Sequence, residues 1–212
     1  MHTKNVIVKG VPIAKGVKAL IMLHGRGANA DDILSLSRYI EVEGYALVAP
    51  QATGNSWYPY SFLAPQSANE PWLSSAIDLV KETVSDLEQA EVKTEDIYLL
   101  GFSQGACLTL EYSARHARRY GGIVAFTGGL IGEKLNTTNY SGDFGETPIF
   151  IGSSNPDPHV PVDRVEQSVD VLKMMNANVA HRIYNGMGHT INEDEIRMAN
   201  LHVFAARQQT SG

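Results

Sequence analysis

The chain has 212 residues, 43% hydrophobic and 19% charged, a balance that suits one soluble globular domain and excludes a disordered one. A net charge of −6 argues against nucleic-acid or acidic-membrane binding; the tightest basic group, Arg115, Arg118 and Arg119, reads as a solvated helix end. One cysteine, Cys107, excludes an internal disulfide, and there is no metal-ligand spacing, signal peptide or membrane-spanning run, so a cytoplasmic protein without metal or membrane insertion is expected.

Strand candidates fall at 5–9, 17–23, 45–50, 97–100, 122–126, 148–151 and 179–184. Several are apolar at consecutive positions, as in parallel strands buried on both faces. Helical patterns lie between them. In 71–90, Leu73, Ile77, Val80, Val84 and Leu87 recur at three- and four-residue spacing, with Pro71 suited to the first turn. In 191–206, Asn192 can cap, Glu193, Asp194 and Glu195 oppose the helix dipole, and Ile191 and Ile196 can staple the cap. No repeat or linker divides the chain. The expected architecture is a single α/β domain over 1–212, with a mostly parallel sheet of about seven strands flanked by helices. Ligands in such sheets sit beyond the carboxyl ends of the strands.

Four connections at that rim carry chemistry. After the strand at 17–23 comes "HGRGA", whose glycines let backbone approach a substrate and whose Arg26 N–H is a candidate amide donor. A phosphate-binding reading of this loop lacks both the G-x-G-x-x-G spacing and a P-loop lysine. His24 reads as a brace for the loop. Downstream, Trp57, Tyr58, Tyr60, Phe62 and Trp72 crowd one connection. They are read either as a pocket wall, with Trp57, Tyr58 and Phe62 its candidates, or as a loop folded onto the core.

After the strand at 97–100, "GFSQG" leads into a helix, the strand–turn–helix context of a nucleophile elbow. Ser103 would be the nucleophile, and the Gln104 backbone N–H, rather than its side chain, a second oxyanion donor. Of seven histidines, His189 follows the last strand through Gly186 and Gly188 and precedes a helix, the position of a base. His2 lies in a terminus expected to fray, His116 and His202 on helices, and His181 inside a strand. Asp157, set among Pro156, Pro158 and Pro161 six residues past the strand at 148–151, is the acid candidate. Asp143 sits in a glycine-flanked excursion and Asp163 in a helix's first turn. His159 is a candidate pocket wall.

In this order "LHGRGANADD", "APQATGNSWYPYSF", "GFSQGA", "DPHVP" and "GMGHTI" span nearly the whole chain. Together they resemble the phospholipase/carboxylesterase family of small α/β-hydrolases, relatives of the acyl-protein thioesterases. The resemblance implies an α/β-hydrolase fold without a large lid and a serine esterase with Ser103, Asp157 and His189 as its triad. Arg26 and Gln104 amides would form its oxyanion hole. It also implies a small-molecule ester substrate, extending to lysophospholipids or thioesters, and no cofactor. A homodimer is expected by family analogy alone. Ser153-Ser154 stands where acyl-protein thioesterases carry His-Gly, and Arg26 where they carry an aliphatic residue. Both differences fit a bacterial carboxylesterase branch better than protein depalmitoylation. The rival from another class is a non-catalytic binding protein on a hydrolase scaffold.

Overall fold

The computed structural model describes residues 1–205; Ala206, the last residue of the helix read from sequence, and 207–212 lie outside the described residues. Seven strands form one sheet in the order β1-β3-β2-β4-β5-β6-β7. They are β1 (Val6–Gly10), β2 (Ala19–Leu23), β3 (Ala46–Pro50), β4 (Ile97–Phe102), β5 (Gly122–Phe126), β6 (Pro148–Asn155) and β7 (Asn178–Asn185). β1 pairs antiparallel with β3 at one edge and every other pairing is parallel.

Alternation along the central strands explains their uninterrupted apolar sequences. Ile21, Leu99, Ile123 and Ile151 face one core. Met22, Leu100, Val124 and Phe150 face the other. The first face is covered by α3 (Trp72–Gln89), α4 (Gln104–Arg115) and α5 (Val162–Met174). On the second lie α1 (Ala30–Leu34), α6 (Glu193–Ala199) and a π-helical turn, Asn200–Phe204, that continues α6. A short α2 (Gln66–Asn69) precedes α3. In α3 the expected stripe of Leu73, Ile77, Val80, Val84 and Leu87 is buried, each large side chain contributing roughly 1.5–3 kcal/mol.

Strand ends differ from expectation where polar residues continue a buried strand. β6 runs on through Ser153 and Ser154, both fully buried and paired with Ile183 and Tyr184. Asp157 therefore follows the strand end by two residues rather than six. Only Arg115 ends α4; Arg118 and Arg119 follow it, and all three are engaged rather than merely solvated: Arg115 with Glu111 at 2.7 Å, Arg118 with Glu88 at 2.9 Å, and Arg119 with the Gly145 carbonyl at 2.9 Å. Among the described residues, no helix is long and apolar enough to cross a membrane.

From β2 the chain crosses to β3 on one side, and from β4 to β5 on the other, although β2 and β4 are neighbours. The loops leaving their carboxyl ends diverge there, opening the crevice in which α/β sheets hold ligands.

Candidate active site

Ser103 occupies the corner between β4 and α4 with φ 54° and ψ −118°. A positive φ is unusual for a residue with a Cβ and costs on the order of 1–3 kcal/mol. The corner is held by the Ser103 N–H donating to Phe126 O at 2.9 Å and the Ser103 carbonyl accepting from Cys107 N–H at 3.0 Å. The flanking glycines are sterically required. A Cβ on Gly101 would lie 2.3 Å from Gly105 O, and one on Gly105 would lie 2.1 Å from Leu23 O.

His189 Nε2 lies 2.8 Å from Ser103 Oγ, and His189 Nδ1 lies 2.9 Å from Asp157 Oδ2. A carboxylate only accepts, so Nδ1–H donates to Asp157 and Nε2 is left to accept the Ser103 hydroxyl proton. The other carboxylate oxygen, Oδ1, accepts the N–H groups of His159 at 2.7 Å and Val160 at 2.9 Å. The Asp157 side chain is fully buried. Burial opposes its charge, but the His159 amide, the imidazole and the Val160 amide outweigh burial and hold the carboxyl below its ordinary value. The His189 loop is fixed by Gly188 N–H donating to Ser154 Oγ at 3.0 Å and Gly186 N–H to Asn155 O at 2.9 Å. Ser103, Asp157 and His189, expected on three separate loops, are thus joined in one hydrogen-bonded chain able to pass a proton from hydroxyl to imidazole.

The loop after β2 reaches the same corner: a Cβ on Gly25 would stand 3.6 Å from Ser103 Cβ. The Gln104 N–H opens α4, where helix geometry leaves it without an intrahelical acceptor. In the loop, Gly27 N–H is taken by Asn55 O at 2.7 Å. His24 braces this loop as a neutral imidazole. Its Nδ1–H donates to Gly25 O at 2.8 Å and its Nε2 accepts Ala52 N–H at 3.1 Å. Burial keeps its proton affinity below the ordinary histidine value.

A cleft of about 690 Å³ opens over Ser103 and His189. Tyr58, Phe62 and His159 line it, and the His159 ring stands edge-on to His189 with centroids 4.9 Å apart. Trp57 does not line it. Its side chain is fully buried, with indole Nε1–H donating to His24 O at 2.8 Å, so this half of the aromatic segment does fold onto the core. A larger recess of about 820 Å³ lies at the opposite strand ends, among Lys18, Tyr45 and Phe204, away from this chemistry.

Three features were missed in the sequence. The Gln104 side chain, expected idle, clasps the aromatic loop: Oε1 accepts Trp57 N–H at 2.9 Å and Nε2 donates to Tyr58 O at 2.8 Å. His2 is not frayed; its Nε2 lies 2.9 Å from Trp57 O and its Nδ1 accepts Thr53 N–H at 3.1 Å. Glu195 is more than a dipole partner. Asn192 caps α6 as expected, and Glu195 closes the capping box, with Oε2 accepting Asn192 N–H at 3.0 Å. Its side chain is fully buried against Gly152, and among the described residues Oε1 has no hydrogen-bond partner. Only the S/T/D/N-x-x-E spacing could have signalled this.

Burial, reinforced by Asp194 and opposed by the Asn192 N–H, pushes the Glu195 carboxyl from 4.5 up to about 7. Because the folded value is raised, the folded state binds the extra proton. Its stabilising effect is complete below pH 4.5 and is lost as pH rises to about 7. Glu195→Gln retains the cap and abolishes the titration. In urea unfolding its stability advantage over the wild type is expected to grow by roughly 2–3 kcal/mol between pH 5 and pH 8. An advantage that is flat across that range would refute this account.

Cys107 lines the cleft but is buried, and desolvation pushes its thiol up to about 12, so it is not an available nucleophile. Among the described residues, no group of three or more His, Cys, Asp or Glu could hold a metal ion.

A family model described as Phospholipase/Carboxylesterase matches residues 3–206. A crystal structure of a phospholipase/carboxylesterase from Dyadobacter fermentans is 55% identical, with a TM-score of 0.94, and the match covers 96% of this chain and 97% of that one. Acyl-protein thioesterase 1 of Saccharomyces cerevisiae is 27% identical over 84% of this chain and 88% of its own length. A probable carboxylesterase, SOBER1-like, of Arabidopsis thaliana is 25% identical over 84% of this chain and 74% of its own length.

Proposed function

From a chain that belongs to the phospholipase/carboxylesterase family, and is a hydrolase of ester or thioester bonds, we propose a serine carboxylesterase acting through Ser103, His189 and Asp157. The observation that carries the reading is the unbroken Ser103–His189–Asp157 hydrogen-bond chain at the floor of an open cleft. As Ser103 Oγ bonds to the ester carbonyl carbon, His189 Nε2 takes its proton and Asp157 stabilises the imidazolium. The Arg26 and Gln104 amides receive the oxyanion. The C–O bond to the alcohol then breaks and the alcohol departs with the proton from His189. In the second half, water enters, gives a proton to His189 and bonds to the acyl carbon. The carboxylic acid leaves and Ser103 regains its proton.

The match to acyl-protein thioesterases supports a second reading, thioester hydrolysis by the same residues, in which a thiolate replaces the alkoxide as leaving group. An alkyl fluorophosphonate tests what the two readings share. The intact protein should gain one adduct mass, located by peptide mapping at Ser103, and Ser103→Ala should gain none. Equal labelling of both proteins would remove Ser103 from the mechanism and favour a binding role for the scaffold.

A further inference from the structure

Arg26 contributes more to the cleft than its backbone. Its guanidinium is fixed by three acceptors on the aromatic loop: Nη1 donates to Ser56 Oγ at 2.9 Å and Pro59 O at 3.0 Å, and Nη2 donates to Tyr60 O at 2.7 Å. It also sits 5.9 Å from the centroid of the Tyr58 ring. All three acceptors are neutral, so they hold the group in place without cancelling its charge. A guanidinium has five N–H donors. Among the described residues, Nε–H and one Nη2–H of Arg26 have no acceptor.

Arg26 is not the loop's sole anchor. The same segment is tied by the Gln104 side chain to Trp57 N–H and Tyr58 O, and by Asn69, whose Oδ1 accepts Tyr60 N–H at 2.8 Å. The surroundings point the same way. The chain carries 23 Asp and Glu against 17 Lys and Arg, yet among the described residues no carboxylate lines the cleft. Arg26 is the permanent cation of its lining, with the Asp157 charge buried beneath and already bonded to His189.

We propose that Arg26 is a specificity-determining residue that selects esters bearing a second, anionic group, a carboxylate or phosphate monoester, placed where the free Nε–H and Nη2–H can grip it. A planar guanidinium presents such a pair of donors in the geometry of two anionic oxygens. Because the loop already immobilises it, little side-chain entropy is lost when the anion binds. This rests on the serine-esterase reading and adds the substrate class.

Two matched pairs of esters test it. The acyl arm compares mono-4-nitrophenyl adipate with its methyl ester. The alcohol arm compares 1-butanoylglycerol 3-phosphate with 1-butanoylglycerol. In one arm, wild-type kcat/KM should favour the anionic member by about 10-fold or more. Raising salt from ~20 mM to ~500 mM should raise KM for that member alone. Arg26→Gln keeps the backbone N–H and should bring the ratio near one; Arg26→Lys should keep part of it. Ratios near or below one in both arms for the wild type, or a ratio unchanged in Arg26→Gln, would overturn the proposal. If Arg26→Gln fails to fold, the wild-type ratios and salt series decide. Ser103→Ala, run in parallel, separates the two claims. If it is inactive on every ester while the wild type shows no preference, only the Arg26 proposal falls. If it remains active, the nucleophile assignment falls.

Discussion

Ser103→Ala is expected to lower kcat for 4-nitrophenyl butanoate by on the order of 10⁴–10⁶-fold while leaving the fold intact. The separation of the two effects follows from the contacts. Among the described residues Oγ has one hydrogen-bond partner, His189, whereas the strained corner is held by backbone bonds to Phe126 O and from Cys107 N–H that alanine preserves. Residual turnover would come from the oxyanion donors and from binding. Asp157→Asn should lose about 10⁴-fold by a different route. The amides of His159 and Val160 still find an oxygen, but the imidazole no longer has a carboxylate that fixes Nδ1–H and balances its charge. Initial rates and melting temperatures measured on the same preparations check both. A Ser103→Ala enzyme keeping more than a tenth of wild-type kcat would eliminate the proposed mechanism.

Gly105→Ala should be strongly destabilising although it adds a single methyl. Its Cβ would sit 2.1 Å from Leu23 O and 2.6 Å from His24 O, both main-chain atoms at the end of β2. Neither can swing aside as a side chain would, because Leu23 is paired in register with Gly101 of β4. The start of α4 must therefore lift off the sheet, and Gln104 would move with it. Overpacking of this kind costs about 3 kcal/mol or more, or roughly 6–12 °C in melting temperature for a chain of this size. Thermal unfolding of the variant, beside Gly27→Ala as a control, measures it. Gly27 has φ 79° but open space around its Cβ position, so its variant carries backbone strain without collision. A Gly105→Ala protein as stable as the control would show that helix and sheet are less tightly opposed than their atoms indicate.

The sheet was legible because its strands are apolar on consecutive positions, a pattern with few alternatives. The two serines that extend β6 were not, since a polar pair reads as loop until its burial is known. Ser103, Asp157 and His189 could be chosen as candidates from sequence because each lies just past a strand with glycine or proline beside it. Their meeting could not be seen, as it depends on sheet order. Side-chain duties were the least legible. Gln104 and Arg26 were read in sequence for their backbone N–H groups beside glycines, and that both side chains hold the 56–60 loop comes from a fold that lays this loop over the corner. Trp57 was misassigned for the same reason: its indole belongs to the brace around His24 and not to the cleft.

β6 and β7 are paired along all eight residues of each, from Pro148↔Asn178 to Asn155↔Asn185. Asp157 and His189 leave from the same end of this ribbon, so acid and base ride on one stiff unit. Ser103 rides on another, two strands away, at the head of α4. Shear within the sheet would carry the imidazole and carboxylate together and leave their spacing unchanged. The compliant coordinate of the site is therefore the gap between Ser103 and His189, the one across which the proposed mechanism moves the proton.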